Sequence, residues 1–198
     1  MREVNKRVEQ GHATRAALIT VATALFAEHG YAATSIPAVL EKAGVSRGAL
    51  YHHFDSKEAL FEAVLESVEI KVMAKTARAA ASAGADPLEA LRKGCAAYLA
   101  MCRDPMVRQI SLTDAPAVVG WERWREIDER HAFGAVKAAV ALIAADGRLK
   151  PDLVDVVAHM ILASLMEVAL LVARADEGRL AIRRGQEAID ELLTSLLS

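Results

Sequence analysis

Between Ser35 and Phe54 lie two segments of about two helical turns each, Ile36–Ala43 and Arg47–His53, joined by Ala43-Gly44-Val45-Ser46. Ser35 is placed to cap the first segment, and Pro37 falls in its first turn, where a missing N–H costs little. Gly44 can close that segment in the left-handed conformation, Val45 tucks under the turn, and Ser46 caps the second segment. Two short helices joined by a short, Gly-containing turn make a helix-turn-helix.

The flanks extend this pattern. Leu18, Val21, Ala22 and Leu25 share one helical face, widened by Phe26, which predicts a helix over about 14–29 with Thr14 as cap and Gly30 as stop. Asp55 and Glu58 have capping-box spacing at the start of another helix that runs to about Ala83. Further helices are expected over Pro87–Met101, Met106–Leu112, Trp121–Ala145, Asp152–Ala175 and Ile182–Leu197, with a loop over 114–120. Aromatic residues make up only 5% of the chain against 54% hydrophobic residues, so helices packed through aliphatic side chains are favoured over strands.

Charge alone points to no polyanionic partner. The net charge is -2, and residues 1–58 hold seven Lys/Arg against six Asp/Glu. Nucleic-acid binding would therefore need a local arrangement of charge. Cys95 and Cys102, seven residues apart on one helix, would lie about 10.5 Å apart, too far for a mutual disulfide. The charged N-terminus has no apolar core of a signal peptide. The apolar run over 156–173 contains Glu167 at a depth costly in a bilayer, so it reads as a buried helix of a cytoplasmic protein with no membrane partner.

Thr34 to Leu60, with the Phe-x-x-x-Gly-Tyr-x-x-Thr-Ser run over Phe26–Ser35, the Ala-Gly-Val-Ser turn, Leu-Tyr-His-His-Phe over 50–54 and Lys57-Glu58-Ala59-Leu60, resembles the N-terminal signature of the tetracycline-repressor (TetR) family. The agreement covers about 12–64. The resemblance implies an all-α chain of about nine helices: a three-helix DNA-binding unit over 1–57 and a helical effector-binding and dimerisation unit over 58–198. It also implies that Tyr51 and Lys57 hold the DNA backbone, and that repression is the usual mode of action.

The residues support a DNA reading directly. Ser46 and Arg47 stand at the end of the second short helix that meets base edges in a major groove, and Arg47 can donate two hydrogen bonds to guanine. Gly48 permits close approach; Tyr51 and His52 can reach phosphate or sugar. Lys57 adds its charge to a helix N-terminus facing a phosphate, and Thr34 and Ser35 offer hydroxyls and N–H groups. Leu50 and Phe54 are expected in the core, and His53 as a buried, hydrogen-bonded histidine. Pro37 stands where the family often has a polar or basic contact, so a weaker contribution from Ile36–Ala43 is expected. Arg2, Lys6 and Arg7 read either as an arm on phosphates or as a free tail.

The run over 152–175 is apolar nearly all round, and with 182–197 it fits a four-helix bundle across a two-fold axis in a homodimer. A pseudo-palindromic double-stranded operator would suit such a dimer. Met101, Met106, Trp121, Trp124, His131, His159, Met160, Met166 and Glu167 are candidates to line a pocket for a small-molecule effector, the alternative for each being ordinary packing. Glu167, if buried, must be paired, protonated or at the dimer axis.

The chain carries no Gly-rich phosphate loop, nucleophile elbow or zinc-protease motif, and the adjacent His52 and His53 diverge on a helix. No enzymatic activity, cofactor or metal is expected. Cys95 and Cys102 with a histidine would make only a nonspecific metal site. An architectural DNA binder without an effector is the remaining rival; it would lack an internal cavity.

Overall fold

The computed structural model describes residues 2–197, with side chains from Gln10 onward. The side chains of Arg2, Lys6 and Arg7, the candidate arm, lie outside the described residues. Among the described residues there are nine α-helices and no strand.

Helix α1 spans Arg2–Ala33 with a break at Gly30 (φ 77°, ψ 167°). Thr14 is therefore an interior residue and not a cap: its hydroxyl donates to the Gln10 carbonyl at 2.9 Å. Gly30 has the positive φ expected of a helix stop, but its ψ is extended, a combination open essentially to glycine alone. A Cβ there would also stand 3.2 Å from Gln109 Nε2.

Helices α2 (Ile36–Ala43) and α3 (Arg47–His53) fall where the sequence places them. Ser35 Oγ accepts from Ala38 N–H and Ser46 Oγ from Ala49 N–H, each satisfying an N–H that the helix leaves unpaired. Helix α4 (Lys57–Ala81) starts differently from the expected Asp55–Glu58 box. Its cap is Ser56, whose Oγ accepts from Ala59 N–H at 3.0 Å.

Helix α5 (Pro87–Met101) is capped by Asp86. A π-helical stretch, Val107–Asp114, then leads directly into the short α6 (Ala115–Val118). Both depart from expectation, which had an ordinary helix over 106–112 and a loop over 114–120. The wide π turns point Val107, Ile110 and Leu112 into the core, and Pro116 sits in the first turn of α6, where no N–H is needed. Helix α7 (Trp121–Ala145) agrees with its prediction; α8 (Val154–Arg174) follows a 3-10 turn, and α9 (Gly178–Leu197) begins a turn earlier than expected.

Leu18, Ala22 and Phe26 of α1 pack with Val39, Leu50 and Phe54 to form the core of the head. Phe61 of α4 completes it, edge-on to Phe26 at 5.3 Å and to Tyr31 at 5.2 Å. Truncating Phe61 to alanine would cost about 3–5 kcal/mol. Beyond Phe61, α4 continues into the body, where it packs against α5 and α7. Helices α8 and α9 approach closely: a Cβ on Gly185 would lie 2.8 Å from Val168 Cγ1. By length and composition Pro151–Arg174 would also suit a bilayer, but half of its most apolar window is buried in the bundle.

Candidate functional site

The outer surface of the head is built around the start of α3. Ser46, Arg47, Gly48, Tyr51 and His52 are all exposed there, and Ser35 is exposed at the start of α2. The Arg47 guanidinium lies over the Tyr51 ring, 5.5 Å from its centroid. No atom stands within 4 Å of a Cβ built on Gly48, so that face of the helix is open to an approaching surface. Leu50 and Phe54 turn inward, as their spacing predicts.

Two of the expected backbone contacts are engaged within the protein. Thr34 is only 3% exposed; its hydroxyl donates to the Gly30 carbonyl (2.8 Å) with Leu25 O at 3.2 Å, and its N–H reaches Tyr31 O. Thr34 thus closes the end of α1 and offers no hydroxyl outward. Lys57 donates to the Tyr31 carbonyl and stands 4.1 Å from the centroid of the Tyr31 ring. Burial lowers its pKa, countered by the charge of Asp114. His53 is half-buried without a hydrogen bond among the described residues, correcting the expectation of a satisfied core histidine. Its pKa is lowered by burial first, then by His52, Arg15 and His12.

The body holds a partly open cavity of about 150 Å³ between α4, α5, α7 and α8. Its wall is mostly apolar, with Val72, Leu91, Val136 and Leu165 among the contributors, interrupted by Glu69, Tyr98 and Asp128. Burial raises the Glu69 pKa, with Ser111 and His131 opposing and Glu66 adding to the shift. Burial and the neighbouring Glu69 push Asp128 up to about 7. Asp128 Oδ2 is buried without a hydrogen-bond partner among the described residues.

Of the sequence candidates, Met166 borders this cavity; Met101, Met106, Trp121, Trp124, His131, His159, Met160 and Glu167 do not. Trp124 is buried against the more exposed Trp121, with ring centroids 4.8 Å apart. Met101 and Met106 pack half-buried on the core. His131 bonds Glu66 of α4. His159 lies 4.2 Å from the Phe133 ring, with Nδ1 at the Asp155 carbonyl. Met160 and Glu167 face outward, so Glu167 is no buried anchor within this chain. Sequence reasoning missed Glu69 and Asp128 because acidic residues on amphipathic helices ordinarily face water. The available signal was Glu69 inside the apolar stripe continued by Leu65, Val68 and Val72.

Residues 18–64 match the family model described as bacterial regulatory proteins, tetR family, and residues 88–196 match the tetracyclin repressor-like C-terminal domain. The chain belongs to the TetR family. The Transposon Tn10 TetC protein of Escherichia coli is 29% identical over 94% of this chain and 92% of its own length. The crystal structure of a TetR-family transcriptional regulator from Pectobacterium atrosepticum is 31% identical, covers 96% of both chains and superposes with a TM-score of 0.83. The HTH-type transcriptional regulator TtgR of Pseudomonas putida is 38% identical over 91 residues, 46% of this chain and 43% of that one. The protein is thus a helix-turn-helix DNA-binding transcriptional regulator, of a family that is not enzymatic.

In this TetR-family chain two further features link head, body and surface. Ion pairs tie α4 to α7 between the head and the cavity: Glu62 with Arg123, and Glu66 with Arg130 (2.6 Å) and His131. On the far side of the body, Val156, Met160 and Leu171 form an exposed apolar stripe along α8, 57%, 46% and 61% exposed, with Glu167 within it.

Proposed function

We propose that this chain is a cytoplasmic, ligand-responsive repressor that binds a pseudo-palindromic operator as a homodimer. Residues 1–57 form its DNA-binding unit and 58–198 its effector-binding and dimerisation unit. The observation that carries the reading is the continuity of α4, which begins under the α3 surface at Lys57 and supplies Glu69 and Val72 to the cavity wall. A ligand that favours one packing around the cavity would therefore bias the position of the head.

Ser46, Arg47, Gly48, Tyr51 and His52 would meet the major groove, with Arg47 reading a base and Tyr51 meeting phosphate. Ser35 would add a backbone contact. Lys57 would hold the phosphate-facing end of α4 through Tyr31 while keeping donors free. The exposed stripe on α8, flanked by α9, is the surface that a second copy would cover, and two-fold pairing would set two recognition helices about 34 Å apart for successive major grooves.

Fluorescence anisotropy on DNA from the protein's own upstream region, against scrambled DNA across a salt series, tests this reading. Sequence-dependent binding of two protomers per site is the expected result. Equal binding to both DNAs with a steep salt slope would mean phosphate contacts alone and would favour an architectural role.

A further inference from the structure

We propose that the cavity between α4, α5, α7 and α8 binds a compact, mostly apolar organic monocation, held by the carboxyl groups of Asp128 and Glu69. The proposal deepens the reading of the body as an effector domain and rests on it.

Asp128 and Glu69 are 8% and 7% exposed, and both border the cavity. Such burial is unfavourable for carboxylates unless they are paired or protonated. No Lys, Arg or His among the described residues forms an ion pair with either carboxyl; Arg125 and His131 only oppose the upward shifts of Asp128 and Glu69 through space, so without a ligand the carboxyls meet the cost of burial by holding protons. Arg125, one turn from Asp128, pairs with Glu129 at 3.0 Å, and His131, near Glu69, pairs with Glu66. Asp128 Oδ2 is buried without a hydrogen-bond partner among the described residues, whereas Glu69 has the Ser111 hydroxyl beside it. Ionising both carboxyls together is opposed by their mutual repulsion.

A ligand carrying one ammonium group supplies the missing partner. It donates hydrogen bonds to Asp128 and sets a positive charge beside Glu69. Apart from Tyr98, Thr76 and Cys95 the rest of the wall is hydrocarbon, which suits an apolar body. A cavity of about 150 Å³ accommodates a ring the size of benzene. An anion would meet two acidic groups, and a wholly apolar ligand would leave Asp128 unpaired.

The test uses benzylamine, with benzyl alcohol and benzoate as neutral and anionic counterparts, at millimolar concentration on the full-length protein. Benzylamine is expected to raise the melting temperature by several degrees, benzyl alcohol much less and benzoate not at all. In Asp128→Asn the affinity for benzylamine should fall about tenfold to a hundredfold, towards that of the alcohol. Equal shifts from amine and alcohol, no shift from the amine, or undiminished amine binding in the variant would overturn the proposal. Should Asp128→Asn fail to fold, Glu69→Gln and the amine–alcohol comparison on the wild type still decide it. Operator binding is measured separately on the same samples. Its absence would count against the regulatory reading, while the ligand comparison would stand on its own result.

Discussion

The backbone N–H of Tyr31 donates a 2.7 Å hydrogen bond to Asp114 Oδ2, across 83 residues of sequence. It joins the end of α1, where the chain turns at Gly30, to the end of the π-helical stretch in the body. Gln109 steadies the acceptor by donating to Asp114 Oδ1 at 3.1 Å. The Tyr31 carbonyl is meanwhile held by Lys57 at the start of α4. One residue of the head is thus fixed from two directions, which couples head and body mechanically.

Asp114→Ala should leave the Tyr31 N–H unpaired in a half-buried place and destabilise the protein by about 1–3 kcal/mol. Urea unfolding measures this. A change below a few tenths of a kcal/mol would mean that water replaces the carboxylate and the joint carries no load.

Arg47→Ala should reduce discrimination between operator and scrambled DNA by about tenfold or more, because a bidentate contact to guanine is lost. The change in salt slope should not exceed about one phosphate contact. Anisotropy titrations on both DNAs read the two quantities separately. Unaltered discrimination would remove Arg47 from the base-reading set.

Met160→Glu together with Leu171→Glu places like charges on the exposed α8 stripe, beside Glu167. If that stripe is the dimer surface, sedimentation should report monomers and operator affinity should fall steeply, since each half-site is then bound alone. A variant that sediments as the wild type would direct attention to another surface.

Stability should depend on pH through Asp128. Its folded pKa is raised to about 7, whereas an exposed aspartate titrates near about 4. Between those values the folded protein retains a proton that the unfolded chain has released. The stabilisation is complete below the unfolded pKa and is lost as pH rises through the folded one. The ligand-free protein should therefore lose about 2–4 kcal/mol between about pH 4 and pH 8 from this group, with Glu69 acting in the same direction. Asp128→Asn should flatten the melting temperature over that range. Identical pH profiles for the two proteins would refute the assignment.

Cys95 and Cys102 are buried, with thiol pKa values pushed up to about 12 by desolvation. In the native protein neither should react with a thiol reagent at neutral pH on the timescale on which the unfolded chain titrates two thiols. Rapid native labelling would show that the body opens readily.

The local structure of the head is written in short stretches of the chain. Ser35, Gly44 and Ser46 specify α2, the turn and α3 through short-range capping, and Leu50 and Phe54 mark the inner face by spacing alone. Such features need only a residue and its neighbours a few positions away, so they survive reading in one dimension. Features that depend on distant partners emerge only once the helices pack. Thr34 and Lys57 look like free donors in sequence, but Gly30, Leu25 and Tyr31 take up their hydrogen bonds once α1 and α4 meet. Ser56 displaced Asp55 as a cap, and the π turns arose where Val107, Ile110 and Leu112 had to reach one core together. The cavity shows the limit most clearly. Trp121, Met160 and His159 have conspicuous chemistry yet face outward, while Glu69 and Asp128 resemble ordinary surface acids and are buried. The inward face of each helix is set by the summed burial of all four helices packed around the cavity, a quantity no single helix carries in its own sequence.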